Sequence, residues 1–125
     1  MRRLPLVAIA VVTLLACTSD DGASSPSAGC IDAQGGRITL VAQGRRWNAD
    51  CLRAPAGALT IGVDNRDVGD NHNLHLPNAP ESPATELVLG PSTTRLDVTL
   101  MPGGYEFICD IHPNMVGTLT VDPAN

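Results

Sequence analysis

Apolar and polar residues alternate over several short stretches, the two-residue period of a strand with one buried face. Residues 37–42 set Ile38, Leu40 and Ala42 against Thr39 and Val41. Residues 59–65, Leu59-Thr60-Ile61-Gly62-Val63-Asp64-Asn65, are the clearest case. Residues 94–100 turn Leu96, Val98 and Leu100 inward. Tyr105, Phe107 and Cys109 then alternate with Glu106 and Ile108, and Leu119 and Val121 with Thr118 and Thr120. A strand over residues 46–52 would carry Trp47, the only tryptophan, as a core plug. Ala54-Pro55-Ala56-Gly57 predicts a turn, residues 77–83 a proline-rich excursion before Leu87 and Leu89, and Met101-Pro102-Gly103-Gly104 a hairpin turn. Seven or eight strands with turns roughly every 8–12 residues describe an all-β sandwich. No long helical period and no internal repeat appears.

The first residues break this pattern. Arg2-Arg3 form a basic start, and Leu6 to Leu15 an apolar run too short for a confident membrane span. The run ends Leu14-Leu15-Ala16-Cys17, which resembles the bacterial lipobox. That resemblance implies cleavage before Cys17 and a diacylglycerol on its thiol, a stable anchor. An ordinary secretory signal is the alternative, and export follows under both. Thr18 in place of aspartate resembles an outer-membrane address. Residues 18–29 are a polar Ser/Gly/Ala-rich tether with a reach on the order of 20 Å. The expected organisation is a signal peptide over residues 1–16, a lipidated tether over 17–34 and a folded domain over 35–125.

Composition narrows the partners. With 12 Gly, 10 Pro and few aromatics, the chain is turn-rich and favours β structure. It has no lysine. Without the leader, 6 Arg face 13 acids, a net charge of −7. That argues against nucleic acid and an anionic membrane surface as partners. It is compatible with a redox partner that presents a basic docking face, and equally with acidity that keeps the domain soluble. A monomer is expected.

The chemistry sits between the last two strands. Cys109, His112 and Met115 follow one another at three-residue intervals. Taken singly, a small buried hydrophobe, a loop histidine and a core filler are the commoner fates. Together they offer a thiolate, an imidazole and a thioether on one short loop. Such soft and borderline donors suit copper in both oxidation states, and one more histidine completes a His₂Cys site with a weak axial Met. Asp70-Asn71-His72-Asn73-Leu74 supplies it. His72 shares strand parity with Leu74 and Leu76 and points inward, whereas His75 points outward as a surface histidine. A Cys-His nucleophile pair is the other reading, and it leaves Met115 and His72 without roles.

Cys109-x-x-His112-Pro113-x-Met115-x-Gly117, after Tyr105-x-Phe107 and with His72-Asn73 upstream, resembles the cupredoxin family, most nearly its amicyanin- and plastocyanin-like members. The resemblance covers residues 38–121. It implies a Greek-key β-sandwich with one type 1 copper ion held by His72, Cys109, His112 and Met115. It also implies that Asn73 ties the ligand strand to the cysteine loop and that the ring edge of His112 passes the electron. Pro113 fixes φ beside His112 and stiffens the loop.

With Cys17 lipidated and Cys109 on copper, Cys30 and Cys51 remain, and outside the cytoplasm they should pair. Their loop of 20 intervening residues corresponds to about 3 kcal/mol in the chain-entropy model. A second metal site at these two cysteines lacks nearby histidines. Asp67, Asp70 and Asp110 are either steering charges for a basic partner or solvated turn residues. Three function classes follow: an electron carrier, a lipid-anchored module for copper storage or delivery, and a copper enzyme. Three histidines, two of them in one ligand set, argue against the enzyme. A binuclear relative would need a second cysteine in the loop.

Overall fold

The computed structural model describes residues 30–124. The expected signal peptide, Cys17 and most of the expected tether lie outside the described residues. Nine strands run in the order β1 (Cys30–Asp32), β2 (Arg37–Ala42), β3 (Cys51–Pro55), β4 (Gly57–Asn65), β5 (Asn71–His72), β6 (Val88–Leu89), β7 (Ser92–Leu100), β8 (Gly103–Cys109) and β9 (His112–Asp122). One sheet has the order β1-β3-β9-β8, the other β2-β4-β7, and β5 and β6 form a small pair of their own. The β1, β3 and β9 neighbours run parallel, as do β2 and β4. β4–β7 and β8–β9 are antiparallel.

The alternation seen in the sequence is what closes the sandwich. β4 buries Leu59, Ile61 and Val63 on one face, and β2 buries Ile38, Leu40 and Ala42. From the other sheet come Leu52 and Ala54, Phe107 and Cys109, and Met115, Leu119 and Val121. Leu74 and Leu76, beyond β5, are fully buried in the same core. Burying such side chains stabilises by about 1.5–3 kcal/mol each before the ordering entropy is subtracted.

Four local expectations change. β1 lies within the stretch expected to be tether, pairing Cys30 with Cys51 across the sheet edge, and the disulfide between them is formed. Residues 46–50 are not a strand: Trp47 makes a single bridge to Ala42, while its ring is buried 6.3 Å from that of Phe107. Pro55 belongs to β3 and Gly57 opens β4, so the expected four-residue turn shrinks to Ala56, where the chain changes sheets. Met101-Pro102 is not a hairpin either. β7 and β8 lie in different sheets, and the Tyr105 hydroxyl donates to the Met101 carbonyl at 2.7 Å to hold the crossing. Turn residues announce a change of direction, not whether the chain returns to the same sheet. Leu87 and Leu89 are exposed and Val98 is half-buried.

Candidate metal centre

The ligand loop is tighter than its sequence suggests. β8 ends at Cys109 and β9 starts at His112, so Asp110-Ile111 alone make the turn. Cys109 pairs with His112 across it, with a register shift between Ile108 and Cys109. That shift lets two strand ends bring three donor residues to one end of the sandwich. Cys109 and Met115 are buried, and His112 keeps 13% of its side chain accessible.

His72 arrives from β5. The backbone beyond it is tied to β8 by two bonds, His75 N–H to Ile108 carbonyl at 3.0 Å and Ile108 N–H to His75 carbonyl at 2.9 Å. Asn73 bonds Asp110 twice, donating to Oδ2 at 2.7 Å and accepting the backbone N–H at 2.9 Å. The ligand strand is thereby locked to the residue that follows Cys109.

The result is a cluster of His72, Cys109 and His112 donor atoms, all within 4.8 Å of one another. The two Nδ1 atoms are 3.1 Å apart, and Cys109 Sγ lies 3.9 Å from His72 Nδ1 and 3.6 Å from His112 Nδ1. These spacings suit ligands sharing one ion with metal–nitrogen bonds of about 2.0–2.1 Å. The imidazole rings are tilted by 58° with centroids 4.7 Å apart. With Met115 fully buried in β9, three residues after His112, the donor set fits a type 1 copper site.

The outer nitrogens face carboxylates. His72 Nε2 is 2.7 Å from Asp67 Oδ2, and His112 Nε2 is 3.4 Å from Asp70 Oδ1. A carboxylate only accepts, so His72 Nε2–H donates to Asp67, an arrangement that turns Nδ1 toward the cluster. The Arg45 backbone N–H, first, with the His72 and Gly44 hydrogen bonds, holds the Asp67 carboxyl below the usual aspartate range against the opposing effect of burial. Asp70 is lowered chiefly by its hydrogen bond to the Arg45 guanidinium, at 2.5 Å. Asp110 is lowered by its hydrogen bonds to His75 and then Asn73. Asp67, Asp70 and Asp110 are therefore structural anchors, bonded to named partners, and not free surface charges.

The structure brings His72, Cys109 and His112 together and buries Met115 in β9, with Asn73 bonded to Asp110 and Pro113 exposed beside His112. His75 does point away from the cluster, but it is no bare surface residue. It is half-buried, with Nδ1 2.7 Å from Asp110 Oδ1 and Nε2 2.6 Å from Ser82 Oγ. The sequence reading missed Arg45 and the anchoring of both histidines. The closeness of Asp67 and Asp70 to His72 was the available signal, and nothing in the sequence marks Arg45.

An all-β sandwich with a buried His-Cys-His cluster and a methionine at one end has the architecture of a type 1 copper protein. A family model described as a cupredoxin-like domain matches residues 6–121, and the chain belongs to that family. No curated protein matches the sequence. Among solved structures, auracyanin A, a "blue" copper protein from Chloroflexus aurantiacus, is similar with a TM-score of 0.61 and 21% identity, covering 75% of this chain and 100% of that one. A reduced amicyanin variant has a TM-score of 0.58 and 20% identity, covering 72% and 86%. A copper-containing nitrite reductase from Thermus scotoductus has a TM-score of 0.61 and 23% identity over 77% of this chain. The match spans only 28% of the reductase chain. At these identities the likeness shows the fold.

Proposed function

We propose that the protein is a mononuclear type 1 copper protein that carries single electrons between redox partners outside the cytoplasmic membrane, anchored by lipid at Cys17. The observation that carries this reading is the cluster of two Nδ1 atoms and the Cys109 sulfur within 4.8 Å, at one end of the sandwich. When bound, copper supplies a one-electron couple. The chain's part is to hold the donors still while the charge changes, because ligand movement adds to the barrier.

Three features supply that stillness. Cys109 and His112 are paired across a two-residue turn. His72 is immobilised by Asp67 on one side and by the Asn73–Asp110 bonds on the other. Pro113 restricts the backbone next to His112. The partly accessible edge of His112, with exposed Ile111 beside it, is the route by which the electron leaves. The partner is a redox protein, with a basic docking face complementary to the acidic domain.

Storage or delivery of copper is the runner-up. Buried donors held by several hydrogen bonds oppose rapid release, which favours the electron carrier. An additional catalytic metal centre finds no histidines: two are in the cluster and His75 is bonded to Asp110 and Ser82.

The test is the absorption spectrum of the copper-loaded full chain. An intense blue band from thiolate-to-copper(II) charge transfer is expected, and Cys109→Ser should abolish it. Only the weak absorption of ordinary copper(II) in the wild type would overturn the assignment. Electron self-exchange should also be fast relative to copper transfer to a metal-free acceptor protein, and the reverse order would support the delivery reading.

A further inference from the structure

One residue outside the ligand set touches both histidine anchors. Arg45 sits in the turn after β2 with a left-handed φ of 55°. Its backbone N–H donates to Asp67 Oδ2 at 2.9 Å, the same oxygen that meets His72 Nε2. Its guanidinium Nε donates to Asp70 Oδ2 at 2.5 Å, while the other oxygen of Asp70 faces His112 Nε2. Its carbonyl accepts from the side chain of Asn114, two residues after His112, at 2.9 Å. A single residue thus reaches His72 through one carboxylate, His112 through another, and the ligand turn directly.

We propose that Arg45 is a positioning residue for the metal centre: its guanidinium fixes Asp70 against the outer nitrogen of His112 and offsets the charge of that carboxylate. The inference rests on the copper reading above. Its division of labour is specific. The backbone N–H of Arg45 serves His72 and is kept in the Gln and Lys variants, which are unbranched at Cβ as arginine is. The side chain serves His112 alone and can be removed separately. That side chain is 66% exposed, so its loss leaves the core intact.

Charge sets the direction of the effect. Loss of the guanidinium leaves the Asp70 carboxylate uncompensated beside a copper ligand, which favours copper(II) over copper(I). Arg45→Gln in the copper-loaded full chain should shift that preference about tenfold, equal to about 59 mV for a one-electron couple. Arg45→Lys should restore it to within about twofold. Arg46→Gln removes the same charge from the next residue, which has no ion pair among the described residues, and should shift the couple less than about twofold.

The copper-free full chain gives a second readout. In Arg45→Gln the ring N–H of His112 should exchange with solvent about tenfold faster, while that of His72 stays unchanged. Asp70→Asn removes the same bond from the other side. It should speed His112 exchange equally and move the couple in the opposite direction. Equal shifts from the Arg45 and Arg46 variants, or His112 exchange unaltered in both Arg45→Gln and Asp70→Asn, would overturn the proposal. Those results in a protein that remains blue leave the copper reading standing, whereas a wild type without the blue band removes that reading instead.

Discussion

Asn73 and Asp110 hold each other by two hydrogen bonds, one from the Asn73 amide to the Asp110 carboxylate at 2.7 Å and one from the Asp110 backbone to the Asn73 carbonyl oxygen at 2.9 Å. Asn73 follows one ligand and Asp110 follows another, so this pair fixes the distance between two pieces of chain that are remote in sequence. Asn73 is 3% exposed, which makes its loss expensive. Asn73→Ala leaves the Asp110 N–H without its acceptor, at about 1–3 kcal/mol. We expect a lower unfolding midpoint and a copper site with a broadened electron paramagnetic resonance spectrum. An unchanged midpoint and spectrum would show that the pair holds nothing.

The two upstream histidines should separate cleanly. His72→Ala removes a cluster donor and should abolish or distort the blue site. His75→Ala should keep the band, since its ring nitrogens face Asp110 and Ser82. Its two side-chain hydrogen bonds still matter, so the second variant should lose about 1–2 kcal/mol of stability. Absorption and denaturant melts of both copper-loaded variants make the check. Loss of the band in His75→Ala with retention in His72→Ala would place the strand register one residue off.

The candidate donors were legible because their chemistry and spacing are local. Cys109, His112 and Met115 fall within seven residues of one another, and Leu74 and Leu76 announce the face that His72 shares. The disulfide was legible by elimination, and Cys30 and Cys51 are indeed joined. What stayed hidden depends on chain segments meeting in space. Arg45 is ordinary in sequence and becomes informative only when the turn after β2 lies against the Asp67–Asp70 loop. Asp67, Asp70 and Asp110 read as surface charges until their partners are seen. The Met101-Pro102-Gly103-Gly104 segment carries hairpin residues, yet the sheets it joins are set by distant pairings of β7 with β4 and β8 with β9. Trp47 is core without being in a strand, since an aromatic ring can fill the interior from a loop.

Acid should weaken the fold through the aspartates. Asp67, Asp70 and Asp110 all sit below the ordinary aspartate range in the folded state, through hydrogen bonds led by Arg45, Arg45 and His75 respectively. A carboxyl with a depressed folded pKa contributes stability above its unfolded value and loses it as pH falls through the folded one. Stability of the copper-free chain should therefore be level near neutrality with respect to these groups and decline on acidification below the usual aspartate range. Asp110→Asn removes one of the three and should make the acid limb shallower. Urea midpoints of wild type and variant measured across that range decide it, and parallel acid limbs would remove Asp110 from the account.

Gly117 stands where β9 passes over the ring of Phe107. A Cβ added there would collide with that ring and lie 2.6 Å from the carbonyl oxygen of Asp50, which already accepts from Thr118 at 2.9 Å. The ring has little room to move, because Phe107 is fully buried and packs against Trp47. The backbone of Asp50 leads directly into Cys51 of the disulfide. Gly117→Ala should thus displace a filled core, at about 1–3 kcal/mol or more. Phe107 precedes Cys109 by two residues on β8, so the disturbance should also shift the blue band. Gly104 makes the control. It lies on the same pair of strands, and an added Cβ meets nothing within 4 Å. Gly104→Ala should be neutral or stabilise by about 0.4–1 kcal/mol through a less disordered unfolded chain. Melting both variants beside the wild type separates the close approach from a general dislike of substitution in β8 and β9. Equal loss in the two would show that the contact at Gly117 is not what matters.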